Sequence, residues 1–186
     1  MAQCLDVRRE RFVASDRFLL DSNVVLDLVA PFGRPNERAR REAYSDFLTR
    51  ARRAGAELTV SVLSFFEIAG VLERARFEDA RGAPPTSRAD LKAFRADAAA
   101  RKQFVRELRS AWSNVVGFAT IAGGELLAGD VASRYLPLLD AASLDGYDPG
   151  LVAESSRLRI RTIVTHDADF ARVPNLIVLT ANDKIL

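Results

Sequence analysis

The chain has 186 residues, of which 48% are hydrophobic and 28% charged, proportions that suit one globular domain with a full core. No uninterrupted apolar run approaches the ~20 residues that a spanning helix needs, which excludes a helical membrane protein. Against 25 acidic residues there are 27 basic ones, and the net charge of +2 is too small to demand a polyanionic partner by itself.

The opening segment MAQCLDVRRERFVASDR carries charges where a secretory signal would be apolar, so a cytoplasmic protein is expected. Phe18 to Leu20 is a short apolar run that ends at Asp21-Ser22-Asn23, a turn or capping cluster, before the apolar Val24 to Val29. This reads as strand, then helix. A second helix is expected from Pro35-Asn36 to Ala54, with Ala43, Tyr44, Phe47, Leu48 and Ala51 on one face and Gly55 closing it. Arginines fill the other face. Arg34, Arg38, Arg40, Arg41, Arg50, Arg52 and Arg53 form one basic cluster, interrupted by Glu37, Glu42 and Asp46. Arg8, Arg9, Arg11 and Arg17 form another. Arginine binds phosphate bidentately, although a preference for arginine equally reflects genome base composition.

Leu58 to Val60 is the next strand, and Ser61 can cap a helix running through Val71 towards Glu78. Gly82-Ala83-Pro84-Pro85 breaks the chain, and Ser87-Arg88-Ala89-Asp90 has the form of a capping box with Asp in place of Glu. A long helix should follow, with Leu91, Phe94, Ala98, Arg101, Val105, Leu108 and Trp112 as a seam at steps of three and four. That seam packs on the domain's own core or, alternatively, forms a homodimer contact. Val115 to Ile121 is expected as a strand and Leu126 to Ala142 as a helix bent at Pro137. Gly146-Tyr147-Asp148-Pro149 opens a helix ending near Ile160. Thr162 to Thr165 and Leu176 to Leu179 are the closing strands, the first followed directly by Asp167-Ala168-Asp169. Such alternation predicts a parallel sheet covered by helices.

Cys4 and His166 are the sole cysteine and histidine, so an internal disulfide is impossible and a Cys/His zinc site is excluded. Any metal would be held by oxygen, which favours hard divalent cations. In open parallel sheets ligands sit beyond the carboxyl ends of the strands. Asp21, Glu67, Asp148 and Asp167 all map to that edge. Each also has a structural role open to it: Asp21 and Asp167 can make turns, and Asp148 before Pro149 can cap a helix. Glu67 differs, because apolar neighbours surround it in every helical direction and should draw its carboxylate inward, where a cation or proton must accompany it. Clustered carboxylates repel one another, and a divalent cation relieves that repulsion, activates water and offsets charge on a phosphodiester without any histidine.

Three blocks then resemble a known family. Phe18 to Leu28, FLLDSNVVLDL, looks like the opening strand and Asp motif of the PIN domain; Ser61 to Leu72, SVLSFFEIAGVL, resembles its Glu-bearing helix; Asp148 to Phe170, DPGLVAESSRLRIRTIVTHDADF, is similar to its closing block. The resemblance implies an α/β fold, a three-layer α/β/α sandwich with a central parallel sheet, in a single domain spanning 1–186. It also implies a ribonuclease that depends on Mg²⁺ or Mn²⁺ and cuts single-stranded RNA. By position Asp21, Glu67, Asp148 and Asp167 would be catalytic and metal-binding, Asp169 a supporting carboxylate, and Asn23 and Thr165 orienting groups. Many small bacterial proteins resembling this are VapC-like toxins of toxin-antitoxin pairs, neutralised by an antitoxin that covers the active site. Two departures stand out. Pro149 replaces a small non-proline residue, and the long span between Glu67 and Asp148 suggests a helical insertion at about 80–125. His166 should be peripheral, since strand alternation turns it away from its neighbours.

Two other functions fit parts of this pattern. A non-catalytic PIN-like module binding RNA or protein would bind nucleic acid equally well without divalent ions. A phosphatase with an aspartyl nucleophile usually has a second Asp two residues after the first, where this chain has Asn23.

Overall fold

The computed structural model describes residues 1–30, 37–82, 84–123, 144 and 147–186. The expected helix from Leu126 to Ala142, and the Pro35-Asn36 start of the second helix, lie outside them.

Among the described residues six parallel strands form one sheet: β1 (Gln3–Asp6), β2 (Arg17–Leu20), β3 (Glu57–Ser61), β4 (Thr120–Ala122), β5 (Thr162–Val164) and β6 (Ile177–Thr180), in the order β1-β6-β5-β2-β3-β4. The register sets Leu20 beside both Val60 and Val164, so the residues just beyond, Asp21, Ser61 and Thr165, end neighbouring strands at one edge. β1 was not foreseen. It is a four-residue edge strand, QCLD, with a partner on one side only, too short and too polar to show a period of two.

Alternation along β2 divides the core. Phe18 and Leu20 face one side with Leu58, Val60, Val164 and Leu179, under α1 (Ser22–Val29), α2 (Arg38–Ala54), α3 (Val62–Arg81) and α5 (Ala98–Phe118). Leu19 faces the other side with Ile163 and Val178, under α6 (Asp148–Leu158) and a 3-10 turn at Asp169–Arg172. The result is the expected three-layer α/β/α sandwich. On the larger side Phe12, Phe18 and Phe47 meet edge to face at 5.2 to 5.4 Å, and the Arg50 guanidinium lies 5.0 Å above the Phe12 ring.

Local signals set most helix ends. Tyr44, Phe47 and Ala51 are the buried stripe of α2, which Gly55 closes at φ 77°, a left-handed cap that glycine adopts without a Cβ clash. The Ser61 hydroxyl accepts from the Leu63 amide to start α3, and Ser87 with Asp90 makes a full capping box on α4 (Arg88–Ala96). The helix before β5 begins at Asp148 itself, with Tyr147 as its cap residue and Pro149 accommodated in the first turn.

The single long helix and its seam are corrected. Asp97 is extended (φ −72°, ψ 109°), and its carboxylate accepts from the Ala99 and Ala100 amides at 2.9 and 3.0 Å, ending α4 and starting α5. A cap of this kind is worth about 1 kcal/mol. The break rotates the buried stripe onto Phe94, Phe104, Ala111 and Val115, leaving Arg101 outside and Val105 38% exposed. Continued helix also takes residues 115 to 118, so the expected Val115 to Ile121 strand shrinks to β4. Within the span expected as a helical insertion, α5 packs Phe104, Ala111 and Val115 into the core and leads into β4 at the sheet edge, while Phe94 of α4 meets Phe77 of α3 edge to face. No helix among the described residues is long and apolar enough to cross a membrane.

Candidate active site

The end of β2 delivers Asp21 to the carboxyl edge, where its backbone amide donates to the Val164 carbonyl and fixes it beside the end of β5. Its side chain is buried at 4% exposure. Oδ2 accepts from Asn23 Nδ2 at 2.5 Å and from the Thr165 hydroxyl at 2.6 Å, Oδ1 accepts from the Ser22 hydroxyl at 3.2 Å, and the Ser22 backbone amide also donates to the carboxylate. Thr165 Oγ1 in turn accepts from Asn23 Nδ2 at 3.2 Å and the Asp167 amide at 2.9 Å, which fixes the direction of its single proton. Asn23 is oriented from the far side, because its Oδ1 accepts from the His166 amide at 3.1 Å. Behind them the fully buried Tyr44 donates to the Thr165 carbonyl at 3.1 Å and accepts from the Ala181 amide at 3.2 Å.

Four carboxylates are buried among the described residues, and three have guanidinium partners. Asp27 takes two bonds from Arg40, Glu154 pairs with Arg157, and Glu73 pairs with Arg95 and Arg101. Asp21 has only neutral donors. Burial, with the negative charge of Glu67 as a lesser contributor, pushes its carboxyl up to about 6 against the pull of the Thr165 hydrogen bond. A buried acid facing a like charge, with neutral donors alone around it among the described residues, is the environment a cation would relieve.

The other predicted residues lie as follows. Glu67, in the second turn of α3, is half-buried and acts electrostatically on Asp21. Asp167 follows β5, and its Oδ1 accepts from the Asp169 amide at 2.8 Å, so it builds the turn that opens the 3-10 segment while sitting two bonds from Asp21 through Thr165. Asp169 joins this network by its amide, and its carboxylate lies 3.8 Å from Arg172. Asp148 stands in the first turn of α6. Since α6 precedes β5 through a short link and packs against the sheet, its N-terminal end points towards the same edge, and its dipole favours an anion there. Among the described residues, no three Asp, Glu, His or Cys side chains converge closely enough to hold a metal ion as a group. The structure thus joins Asp21, Asn23, Thr165 and Asp167 by hydrogen bonds and couples Glu67 by charge; it does not draw all four acids around one point.

His166 takes part through its backbone, and burial together with the Arg40 charge depresses its basicity. Its Nδ1 is the one buried side-chain polar atom among the described residues with no hydrogen-bond partner. Sequence reasoning missed Tyr44 as a buttress, reading it only as an apolar face, and missed Asp27, whose pairing with Arg40 has no local signature. It also took the arginines of α2 as a surface cluster. Arg40 is bound to Asp27, Arg41 donates to the Asp27 and Ala30 carbonyls at the end of α1, and Arg50 donates to the Val7 and Glu10 carbonyls.

No family model matches the sequence, and no curated protein does. Among solved structures, the chain is similar to a chain of VapBC2 from Rickettsia felis, crystallised with a DNA fragment from their promoter. The TM-score is 0.51 and the identity 13%, over 87% of this chain and 96% of that one. At this identity the likeness is one of fold. The chain has a PIN-like three-layer α/β/α fold, with the Asp21 cluster at the carboxyl ends of its parallel strands.

Proposed function

We propose that the chain is a divalent-metal-dependent endoribonuclease that hydrolyses phosphodiester bonds of single-stranded RNA. The observation that carries this reading is Asp21: of the buried acids described, it alone has no cation partner, and it faces the charge of Glu67. The donor set fits a hard cation, since every candidate ligand is a carboxylate. Asp21 and Glu67 would hold Mg²⁺ or Mn²⁺, with Asp148 and Asp167 as ligands directly or through water. The ion, when bound, would lower the pKa of a water and offset charge on the attacked phosphate.

The chain's own groups do the positioning. Asn23 and Thr165 hold Oδ2 of Asp21 and Ser22 holds Oδ1, all through neutral donors, so the orientation of the carboxylate is set without its charge being cancelled. The Asp167 amide holds the Thr165 hydroxyl in its donating direction, so the loop after β5 is tied to the end of β2 through Asp21. Fold likeness to a VapBC2 chain supports a role as the toxin of a toxin-antitoxin pair, with a cognate antitoxin as partner. Purified protein should cut single-stranded RNA only with divalent metal, and should lose cleavage with EDTA or with Asp21→Asn. Activity that survives both changes refutes the mechanism.

A non-catalytic PIN-like module is the second reading, favoured by the lack of a three-acid group among the described residues. It predicts RNA binding that metal titration leaves unaltered and no cleavage under any divalent ion.

A further inference from the structure

Free positive charge lies where the sequence clusters did not point. A groove of roughly 650 Å³ runs along α4 and α5, lined by Arg95, Arg101, Lys102, Arg106 and Arg109 around Val105, and no acidic residue lines it. Arg95 and Arg101 share Glu73, which leaves an excess of four positive charges on this face, in a chain whose total is +2. Lys102, Arg106 and Arg109 are exposed and make no ion pair with a described residue. By contrast, most arginines of α2 and the N-terminal segment are engaged with acids or carbonyls.

The spacing suits a polymer. Positions 102, 106 and 109 fall on one helical stripe, spread over about 10 Å at a rise of ~1.5 Å per residue, long enough to face more than one phosphate of an extended strand. The groove also has a direction. α3 and α5 run antiparallel, with Phe65 against Trp112 near one end and Glu73 beside Arg101 towards the other. The stripe from Lys102 to Arg109 therefore advances along α5 towards the level of Glu67.

We propose that this groove is a binding track for the sugar-phosphate backbone of a single-stranded RNA, which it holds beyond the cleavage site. The proposal rests on the nuclease reading for the identity of the polymer. A row of guanidiniums and an ammonium with no acid, and with Ala96, Ala98 and Val105 among them, suits a repeating phosphate backbone better than a mixed-charge protein surface.

The test is fluorescence anisotropy with a labelled oligouridylate of about 20 nucleotides in EDTA, long enough to span the groove and the site. A Lys102→Ala, Arg106→Ala, Arg109→Ala variant should bind at least ~10-fold more weakly, and its slope of log affinity against log salt should be shallower by about 2. A control with Arg11→Ala, Arg52→Ala, Arg53→Ala removes the same charge elsewhere and should bind as wild type. Unaltered affinity and salt slope in the groove variant overturn the track, as does equal loss in the control. Preferential capture of poly-glutamate over the oligouridylate, lost in the groove variant, also overturns it by making the groove a site for an acidic protein. Because EDTA prevents cleavage, these results stand apart from the nuclease reading, which fails separately if wild-type protein with Mg²⁺ or Mn²⁺ leaves the same strand intact.

Discussion

Replacing Asp21 with asparagine should stabilise the metal-free protein at neutral and alkaline pH while removing its response to metal. Its carboxyl titrates at about 6 in the folded chain and near the ordinary 3.8 when unfolded. Between those values the folded state carries a proton that the unfolded state has lost, so stability from this source is intact at about pH 4 and falls as pH rises through 6. Two units of difference correspond to about 3 kcal/mol, fully expressed by about pH 8. Asparagine avoids the ionisation and can keep the strongest bonds: its carbonyl can accept from Asn23 and Thr165 where Oδ2 does now, with its amide towards the Ser22 hydroxyl. Denaturant unfolding in EDTA should show the variant more stable than wild type by about 2 to 3 kcal/mol at pH 8, with most of the difference gone at about pH 4. Adding Mg²⁺ or Mn²⁺ should then raise wild-type stability and leave the variant unaltered. A variant less stable by the same amount at both pH values would refute the reasoning, since Asp21 would then be a structural acceptor whose charge carries no cost.

Glu67→Gln removes the like charge facing Asp21, so the pH at which the metal-free protein loses stability should move down while metal affinity falls; a midpoint that stays in place or rises would separate the two residues. Tyr44→Phe deletes the donor to Thr165 and the acceptor of Ala181, and should cost about 1 to 3 kcal/mol in denaturant unfolding. RNA cleavage should also slow, because the Thr165 backbone loses its anchor; full activity would show that the orienting network is rigid without it. Asp97→Ala should cost about 1 kcal/mol, read as a lower Tm, by unpairing the first amides of α5. An unaltered Tm would mean that α4 and α5 are held apart by packing alone.

Chain-local chemistry was legible in the sequence. The apolar run before Asp21, the Ser61 cap, the Gly55 stop and the run ending at Thr165 fixed strands, helix starts and their alternation, because each depends on neighbours a few residues away. Alternation of strand and helix was enough to imply the parallel three-layer fold and the edge where Asp21, Asn23, Thr165 and Asp167 meet. Tertiary structure decided what depends on distant partners. Asp97 outcompeted helix continuity through a cap and turned the seam; β1 exists only because β6 offers it an edge; the α2 arginines found Asp27 and backbone carbonyls across the fold. Charge at a site is likewise a property of surroundings. Four acids are buried alike, but only packing determines that three of them meet a guanidinium while Asp21 meets hydroxyls, an amide and the field of another carboxylate.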